Sequence, residues 1–259
     1  MTTGTLVVGG RSRVHRRTGP NYDLELWREV VGGRPRYETR VRMKLQFLFV
    51  EGTAGKLGDT QQRLFVHEWK RVVQRHWTRP SQRPAGGIGY PMALAFAFET
   101  RIGGIWLTDH WEIEVLCNEE PWWPAPEDPE KRVYGQVWER WRYGPGPQRL
   151  SRTGRLAWRN RVLLTQHANQ VQQVVDGIDT IVSVHEFGHM LGGDTRADEY
   201  PPSSPHSADS TSVMHYGLGQ RVRHVERLTD WGQAWAAAHE ADLARRREAE
   251  RMLPRRRRR

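Results

Sequence analysis

Apolar and polar residues alternate in two stretches near the start of the chain, at positions 24–30 and 37–50, and the second stretch becomes continuously apolar toward its end. A period of two is typical of β-strands, so we expect two strands here, joined by the Gly-Gly-Arg-Pro segment at 32–35. Further strand-like runs occupy positions 92–98, 110–117 and 155–165. The pattern therefore predicts a sheet of several strands.

Three other stretches carry the period of an α-helix. In 59–77 the apolar residues recur with helical spacing, which predicts a helix whose N-cap is Asp59 or Thr60. An apolar run at 181–191 surrounds a polar trio and ends at a Gly-Gly pair, a common helix stop. A partial apolar stripe predicts a last helix at 228–253, with a strongly basic end. Strands and helices in this mixture indicate the α+β class.

The polar trio within the apolar run is the strongest chemical signal in the sequence. His185, Glu186 and His189 form the motif H-E-x-x-H. Residues four apart lie on one face of a helix, so both imidazoles can reach one zinc ion at the ~2.0–2.1 Å that zinc–nitrogen bonds require. Glu186 stands beside the first histidine, where its carboxylate can take a proton from a water molecule on the metal. We therefore expect one catalytic Zn²⁺.

A second segment, Ser-Val-Met-His-Tyr-Gly at 212–217, follows this predicted helix. Together, the H-E-x-x-H-x-x-G helix and this segment resemble the metzincin clan of zinc peptidases, and the segment is close to the methionine turn of astacin-like members. The likeness covers 181–217, a minor part of the chain. It implies that Met214 forms an apolar floor beneath the metal, and that Tyr216 stands near the metal and stabilises the transition state.

The resemblance also implies a fold. In a zincin-like, metzincin-like domain of the α+β class, a twisted mixed sheet packs on the active-site helix, and the Met-turn and a C-terminal helix follow. An edge strand of the sheet receives the substrate in extended form. The expected division of the chain is a flexible N-terminus at 1–20, a single catalytic domain at 21–253 with an upper part at 21–193 and a lower part at 194–253, and a basic tail at 254–259.

The third metal ligand departs from the family pattern. The position that should hold it is Thr195, a poor ligand for zinc. Asp198 is the first choice, because a related bacterial pattern, H-E-F-G-H-M-L-G-x-x-D-E-Y, is similar except for three extra residues here before the Asp-Glu-Tyr. The alternatives are Asp194, His206 and Glu226. Glu226 would imply a different clan, the gluzincins, against which the methionine turn argues.

These residues predict a zinc-dependent endopeptidase. Three protein ligands would leave one coordination position for water, the mark of a catalytic zinc. Glu186 would act as general base and then pass the proton to the leaving amine. Two other functions stay open: a non-catalytic binding or assembly module that keeps the fold, and a basic nucleic-acid-associated protein in which the motif is coincidental. No nucleic-acid-binding signature accompanies the positive charge, which makes nucleic acid an unfavoured partner.

Composition adds a possible partner. The chain of 259 residues carries a net charge of +10, and it ends in five arginines, from Arg255 to Arg259. Such an end attracts acidic proteins, phosphates or anionic membranes, or is simply a solvated tail. The main expected partner is the peptide or protein substrate of the predicted enzyme.

Cysteine usage and hydropathy bear on location. The one cysteine, Cys117, excludes an intramolecular disulfide framework and is expected to be a buried apolar group. No apolar run approaches the ~20 residues of a membrane span, and the start lacks the regions of a secretory signal. We therefore expect a protein made and kept in a reducing cytoplasm, with export by a signal-independent route as the alternative.

Overall fold

A nine-stranded mixed sheet and, in the described part of the chain, three α-helices make up the α+β fold of the computed structural model. The residues that the structure describes are 7–8, 10–83, 89–104, 109–120, 123–124, 132–133, 135–138, 160–173, 178–192, 209, 211–214 and 217–252. The helices are α1 (Asp59–Trp77), α2 (Val182–Leu191) and α3 (Glu226–Met252), preceded by a 3₁₀ turn at Val222–His224. The strands are β1 (Val7–Val8), β2 (Arg11–Arg17), β3 (Asp23–Val31), β4 (Arg34–Glu51), β5 (Arg79–Gln82), β6 (Met92–Ile102), β7 (Trp111–Cys117), β8 (Trp123–Pro124), β9 (Arg132–Val133), β10 (Gly135–Trp138), β11 (Asn160–Thr165), β12 (Gln172–Gln173) and β13 (Asp179–Thr180).

The long strand β4 organises the sheet. Its first half pairs antiparallel with β3, its second half pairs parallel with β7, and β6 runs parallel along its other side. The order of strands is β1-β2-β3-β4-β7-β11-β10, with β5 added to β6. At the end of this order β10 runs antiparallel to β11 and lies beside α2. The sheet is therefore mixed, as the resemblance implies, and carries an antiparallel strand next to the helix with the H-E-x-x-H motif.

The predicted turn between the first two long strands is present. Gly32 and Gly33 have φ angles of 58° and 74°, in the left-handed region that glycine enters at no steric cost. A two-residue turn with both residues in this region matches the twist of the strands that it joins. Glycine at these positions therefore fixes the register in which β3 and β4 pair.

An aromatic cluster fixes α2 on the helix-bearing face of the sheet. Phe187 of α2 is completely buried, and its ring stands edge-on to the rings of Trp69, Trp77, Phe96 and Phe98, at centroid distances of 5.3–6.0 Å. The two tryptophans belong to α1 and the two phenylalanines to β6. Edge-to-face contacts of this kind contribute about 0.5–1.5 kcal/mol each beyond the area that they bury. The cluster therefore determines how α2 sits between α1 and the sheet.

Charged side chains line the opposite face of the sheet. Glu25 accepts hydrogen bonds from Arg13 at 3.0 Å, from Arg42 at 3.2 Å and from the indole N–H of Trp27 at 2.9 Å. Burial alone would raise the pKa of Glu25, but the hydrogen bonds from Trp27, Arg13 and Arg42 outweigh it and lower the pKa. The buried carboxylate is therefore held in its charged form by one donor on its own strand, Trp27, and by two on the neighbouring strands, Arg13 and Arg42.

Within the stretch 1–20, for which the sequence predicts flexibility, Arg11–Arg17 form the strand β2. This strand pairs antiparallel with β3, and its arginines reach acidic partners there: Arg16 lies 2.7 Å from Asp23. Because β2 has no continuous apolar face, ion pairs across the strands help to hold it on β3. A pattern of hydrophobic positions contains no signal for such pairs, so it does not predict this strand.

The hydropathy of the helices bears on membrane crossing, and the burial of Cys117 bears on the role of the cysteine. Within the described ranges, no helix is both long enough and apolar enough to cross a membrane. Cys117 is a buried free thiol, as predicted. The basic tail at 254–259 lies outside the described residues.

Candidate metal site

The two histidines of α2 face each other. Nε2 of His189 lies 3.2 Å from Nε2 of His185, and the rings are inclined at 77° with centroids 4.9 Å apart. Nδ1 of His185 lies 2.9 Å from the carbonyl oxygen of Val213. Because a carbonyl oxygen only accepts, this contact places the proton of a neutral His185 on Nδ1 and the lone pair on Nε2. The 3.2 Å between the two nitrogens is compatible with one cation bound to both, and equally with a hydrogen bond from one ring to the other.

The carboxylate predicted to act as a base lies in the same helix. Glu186 directly follows His185 and is buried, with only 7% of its surface exposed. Burial therefore sets this carboxylate apart from bulk water, in the same turn of α2 as His185.

A tight turn formed by the described residues of 211–219 packs against α2. Main-chain hydrogen bonds close the turn, among them one from the N–H of Val213 to the carbonyl of Gly219 at 2.9 Å. Met214 is completely buried, and its sulfur and methyl group occupy the space that a side chain at Gly188 would need. The methionine therefore contacts the backbone of the helix that carries both histidines.

Hydrogen bonds from neighbouring elements hold α2 in place. The indole N–H of Trp77 donates to the carbonyl of Val184 at 2.9 Å. At the start of the helix, the hydroxyl of Ser183 donates to the side-chain oxygen of Asn169 at 2.7 Å, and the amide of Asn169 donates to the carbonyl of Phe65 at 3.0 Å. These buried bonds tie α2 directly to the last residue of α1 and, through Asn169, to the first half of α1, so the positions of the histidines depend on how α2 packs against α1.

A chain of buried polar groups connects the turn to the 3₁₀ turn. Nδ1 of His224 accepts the N–H of Arg221 at 3.1 Å, so the proton of a neutral His224 lies on Nε2. Nε2 then donates to the hydroxyl of Ser212 at 3.3 Å, and this hydroxyl accepts the N–H of Met214 at 3.2 Å. His224 therefore orients the residue that begins the methionine turn.

An acidic residue also anchors this region. The carboxylate of Asp209 accepts hydrogen bonds from Arg221, at 2.6 and 2.9 Å, and from Arg223 at 2.7 Å. The hydrogen bonds from Arg221, reinforced by Arg223 and opposed only by burial, hold the pKa of Asp209 well below its usual range. The ion pairs of Asp209 with Arg221 and with Arg223 join the chain before the methionine turn to the chain after it.

The predicted site residues are only partly within the described ranges. Asp194, Asp198, His206 and Tyr216 lie outside them. Glu226 is described and is the exposed first residue of α3. No group of three His, Cys, Asp or Glu side chains that could hold a metal is found among the residues that the structure describes. The structure thus brings His185 and His189 together, and the third ligand stays a prediction.

Three groups that position the site were not predicted from the sequence. They are the carbonyl of Val213, the hydroxyl of Ser212 and the imidazole of His224. Ser212 and Val213 stand in the quoted turn motif, so their positions could have been noticed there. His224 lies 12 residues after Ser212 and belongs to no recognisable motif, so only the fold reveals its part.

Compared with protein-family models, with curated proteins and with solved structures, the chain gives no significant match. The function must therefore be inferred from the residues of the site and their geometry.

Proposed function

We propose that this protein is a zinc-dependent endopeptidase. The observation that carries the proposal is the 3.2 Å separation between Nε2 of His185 and Nε2 of His189. Two zinc–nitrogen bonds of ~2.0–2.1 Å that meet near the tetrahedral angle hold their nitrogens roughly 3.3 Å apart. The imidazoles therefore fit one zinc ion, and the Val213 carbonyl, which fixes the tautomer of His185, is the kind of outer partner that ligand histidines have.

The proposed chemistry assigns the proton transfers to Glu186. A bound zinc ion supplies Lewis-acid chemistry, acidifying a water molecule and polarising a carbonyl. The carboxylate of Glu186 takes a proton from the attacking water as general base, and passes it to the nitrogen of the leaving amine as general acid. Because Glu186 is 7% exposed, bulk water competes little for that proton.

Two residues enter the proposal through the metzincin resemblance. Tyr216 is assigned to stabilise the charge that develops on the scissile carbonyl oxygen. Met214 is assigned to the apolar floor of the site, and its complete burial against Gly188 supports this role. The resemblance thus assigns Tyr216 to the reaction itself and Met214 to the support of the helix that carries the histidines.

For the third zinc ligand we propose Asp198, with Asp194, His206 and Glu226 as the alternatives. A carboxylate oxygen binds zinc at about 2.0–2.2 Å and would complete a set of three protein ligands. Glu226 is exposed at the start of α3 and is not grouped with the two histidines, which supports its place as the last alternative.

The metzincin-like fold is likewise part of the proposal. A mixed sheet backs α2, and the antiparallel strand β10 runs beside that helix, which supports the expected layout. An extended peptide that added to β10 would gain main-chain hydrogen bonds largely independent of its sequence. Its scissile bond would then pass close to the helix that carries His185 and His189.

Cleavage of a mixed peptide library by the purified, zinc-supplemented protein tests the proposal. Wild type should cleave, and Glu186→Gln should lose about 10²–10⁴-fold in rate while it still binds zinc. Glu248→Gln, on the exposed part of α3, is the matched control and should cleave like wild type. Equal rates for wild type and Glu186→Gln would contradict the mechanism. Zinc binding with no cleavage by either would indicate the non-catalytic binding module instead.

A further inference from the structure

A second recess lies beside the first half of α1, whereas the histidine site lies near the last residue of this helix, Trp77. We name it the α1–β6 groove. It encloses about 1030 Å³ between the ends of β4 and β6 and the start of α1. Apolar side chains that line it are Leu48, Phe49, Leu57, Val66 and Ile102.

Positive charge lines one side of the α1–β6 groove. Arg63 and Lys70 lie seven residues apart, on one face of α1, and Lys56 lies in the segment before α1. One acid, Asp59, also lines the groove. Within the described part of the chain, no carboxylate forms an ion pair with Lys56, Arg63 or Lys70. The charge of these cations is thus available to an acidic ligand.

The strand on the other side of the groove has an open edge. The N–H of Gly103 donates to the carbonyl of Phe47 at 2.8 Å, so odd-numbered residues of β6 direct their main chain toward β4. Main-chain groups alternate sides along a strand, so those of Thr100 and Ile102 point away from β4. Among the described residues, β5 covers that edge only at Met92 and Leu94.

We propose that the α1–β6 groove docks an acidic, extended segment of a partner protein. The main chain of the segment would pair with the open edge at Thr100 and Ile102, while its carboxylates would face Arg63 and Lys70. Nucleic acid would match the charge, but it has no peptide groups to continue the sheet, so the open edge favours a polypeptide. The groove shares no residue with the zinc site, and docking does not depend on hydrolysis.

Fluorescence anisotropy with a labelled eight-residue peptide that alternates glutamate and valine tests the docking. The Glu186→Gln protein is the background, so that hydrolysis does not consume the probe. The triple variant Lys56→Glu, Arg63→Glu, Lys70→Glu should weaken binding at least about tenfold, and added salt should weaken binding to the background protein. The matched control, Arg245→Glu, Arg246→Glu, Arg247→Glu on exposed α3, makes the same change in net charge and should bind like the background.

A second pair of measurements examines the strand edge. Thr100→Pro removes the N–H that points away from β4, and should weaken binding about tenfold while far-UV circular dichroism stays unchanged. A peptide N-methylated at alternate residues keeps its charge and should bind as weakly. Undiminished binding of the N-methylated peptide would overturn strand addition. Equal binding by the two triple variants, or complete displacement of the peptide by an equimolar single-stranded oligonucleotide, would overturn the acidic-peptide assignment.

Discussion

The thioether of Met214 fills the space that a side chain at Gly188 would occupy. Gly188 stands between the proposed base, Glu186, and the second histidine of the motif. Because glycine has no side chain, the methionine turn can pack directly on the backbone of α2. The contact connects the two segments on which the metzincin resemblance depends, and places the second of them against the first.

Replacing Gly188 by alanine should destabilise the protein by about 1–3 kcal/mol, because the new methyl group overpacks a filled site. Helix propensity alone would favour alanine by about 1 kcal/mol, so a net loss identifies the steric cause. Urea unfolding measures the change. In the double variant Gly188→Ala, Met214→Ala the closest obstruction to the added methyl group is removed and only the ring of Trp77 stays near it, so the combined loss should be smaller than the sum of the two single losses. A stabilised or unchanged Gly188→Ala would contradict the contact.

His224 should contribute to stability through the turn, although it lies outside the H-E-x-x-H motif. His224→Ala removes a buried ring and leaves the hydroxyl of Ser212 and the N–H of Arg221 without this partner, which should cost about 2–4 kcal/mol. His67→Ala, at an exposed position of α1, is the control and should change the free energy of unfolding by less than about 0.5 kcal/mol. Equal effects of the two substitutions on the melting temperature would refute the role of His224.

The pair of arginines around Asp209 should make stability depend on pH. The pKa of Asp209 is lowered in the folded state, so its charged form stabilises the protein above the ordinary value of 3.8, and this contribution is lost as the pH falls through the folded pKa. Asp209→Asn should therefore melt below wild type at pH 7, with the difference shrinking at pH values below 3.8.

Asp242→Asn is the control for this measurement, since Asp242 pairs with Arg245 and Arg246 on the exposed part of α3. Exposed pairs of this kind contribute about 0–1 kcal/mol. A melting-temperature difference for Asp209→Asn that is the same at every pH would show that the carboxylate acts by packing and not by charge.

The sequence predicts the regular elements well where their apolar period is strong. The helix at 59–77 is confirmed, as Asp59–Trp77, because the residues that it buries recur with the period of a helix. The predicted cap is wrong: Gly58, not Asp59 or Thr60, is the N-cap, and its N–H donates to the side chain of Gln61 at 3.1 Å. Several neighbouring polar residues can begin a helix, and packing decides among them.

The pattern of apolar and polar residues does not predict contacts between residues that lie far apart in the sequence. β2 depends on pairs such as Arg13 with Glu25, which are separated by 12 positions and carry no hydrophobic signal. The spacing of His185 and His189 follows from the period of one helix, so it could be predicted. The bond from His185 to the Val213 carbonyl spans 28 positions and needed the fold. A third zinc ligand would likewise come from outside α2, so spacing within the helix cannot identify it.

The zinc content of the purified protein tests the central claim most directly, because a hydrogen bond between two neutral imidazoles would also explain why His185 and His189 lie 3.2 Å apart. Elemental analysis should find about one zinc per chain in wild type and almost none in His185→Ala or His189→Ala. His76→Ala, which alters a histidine of α1, should keep the metal. A wild-type protein that binds no zinc, or variants that keep it, would contradict the account.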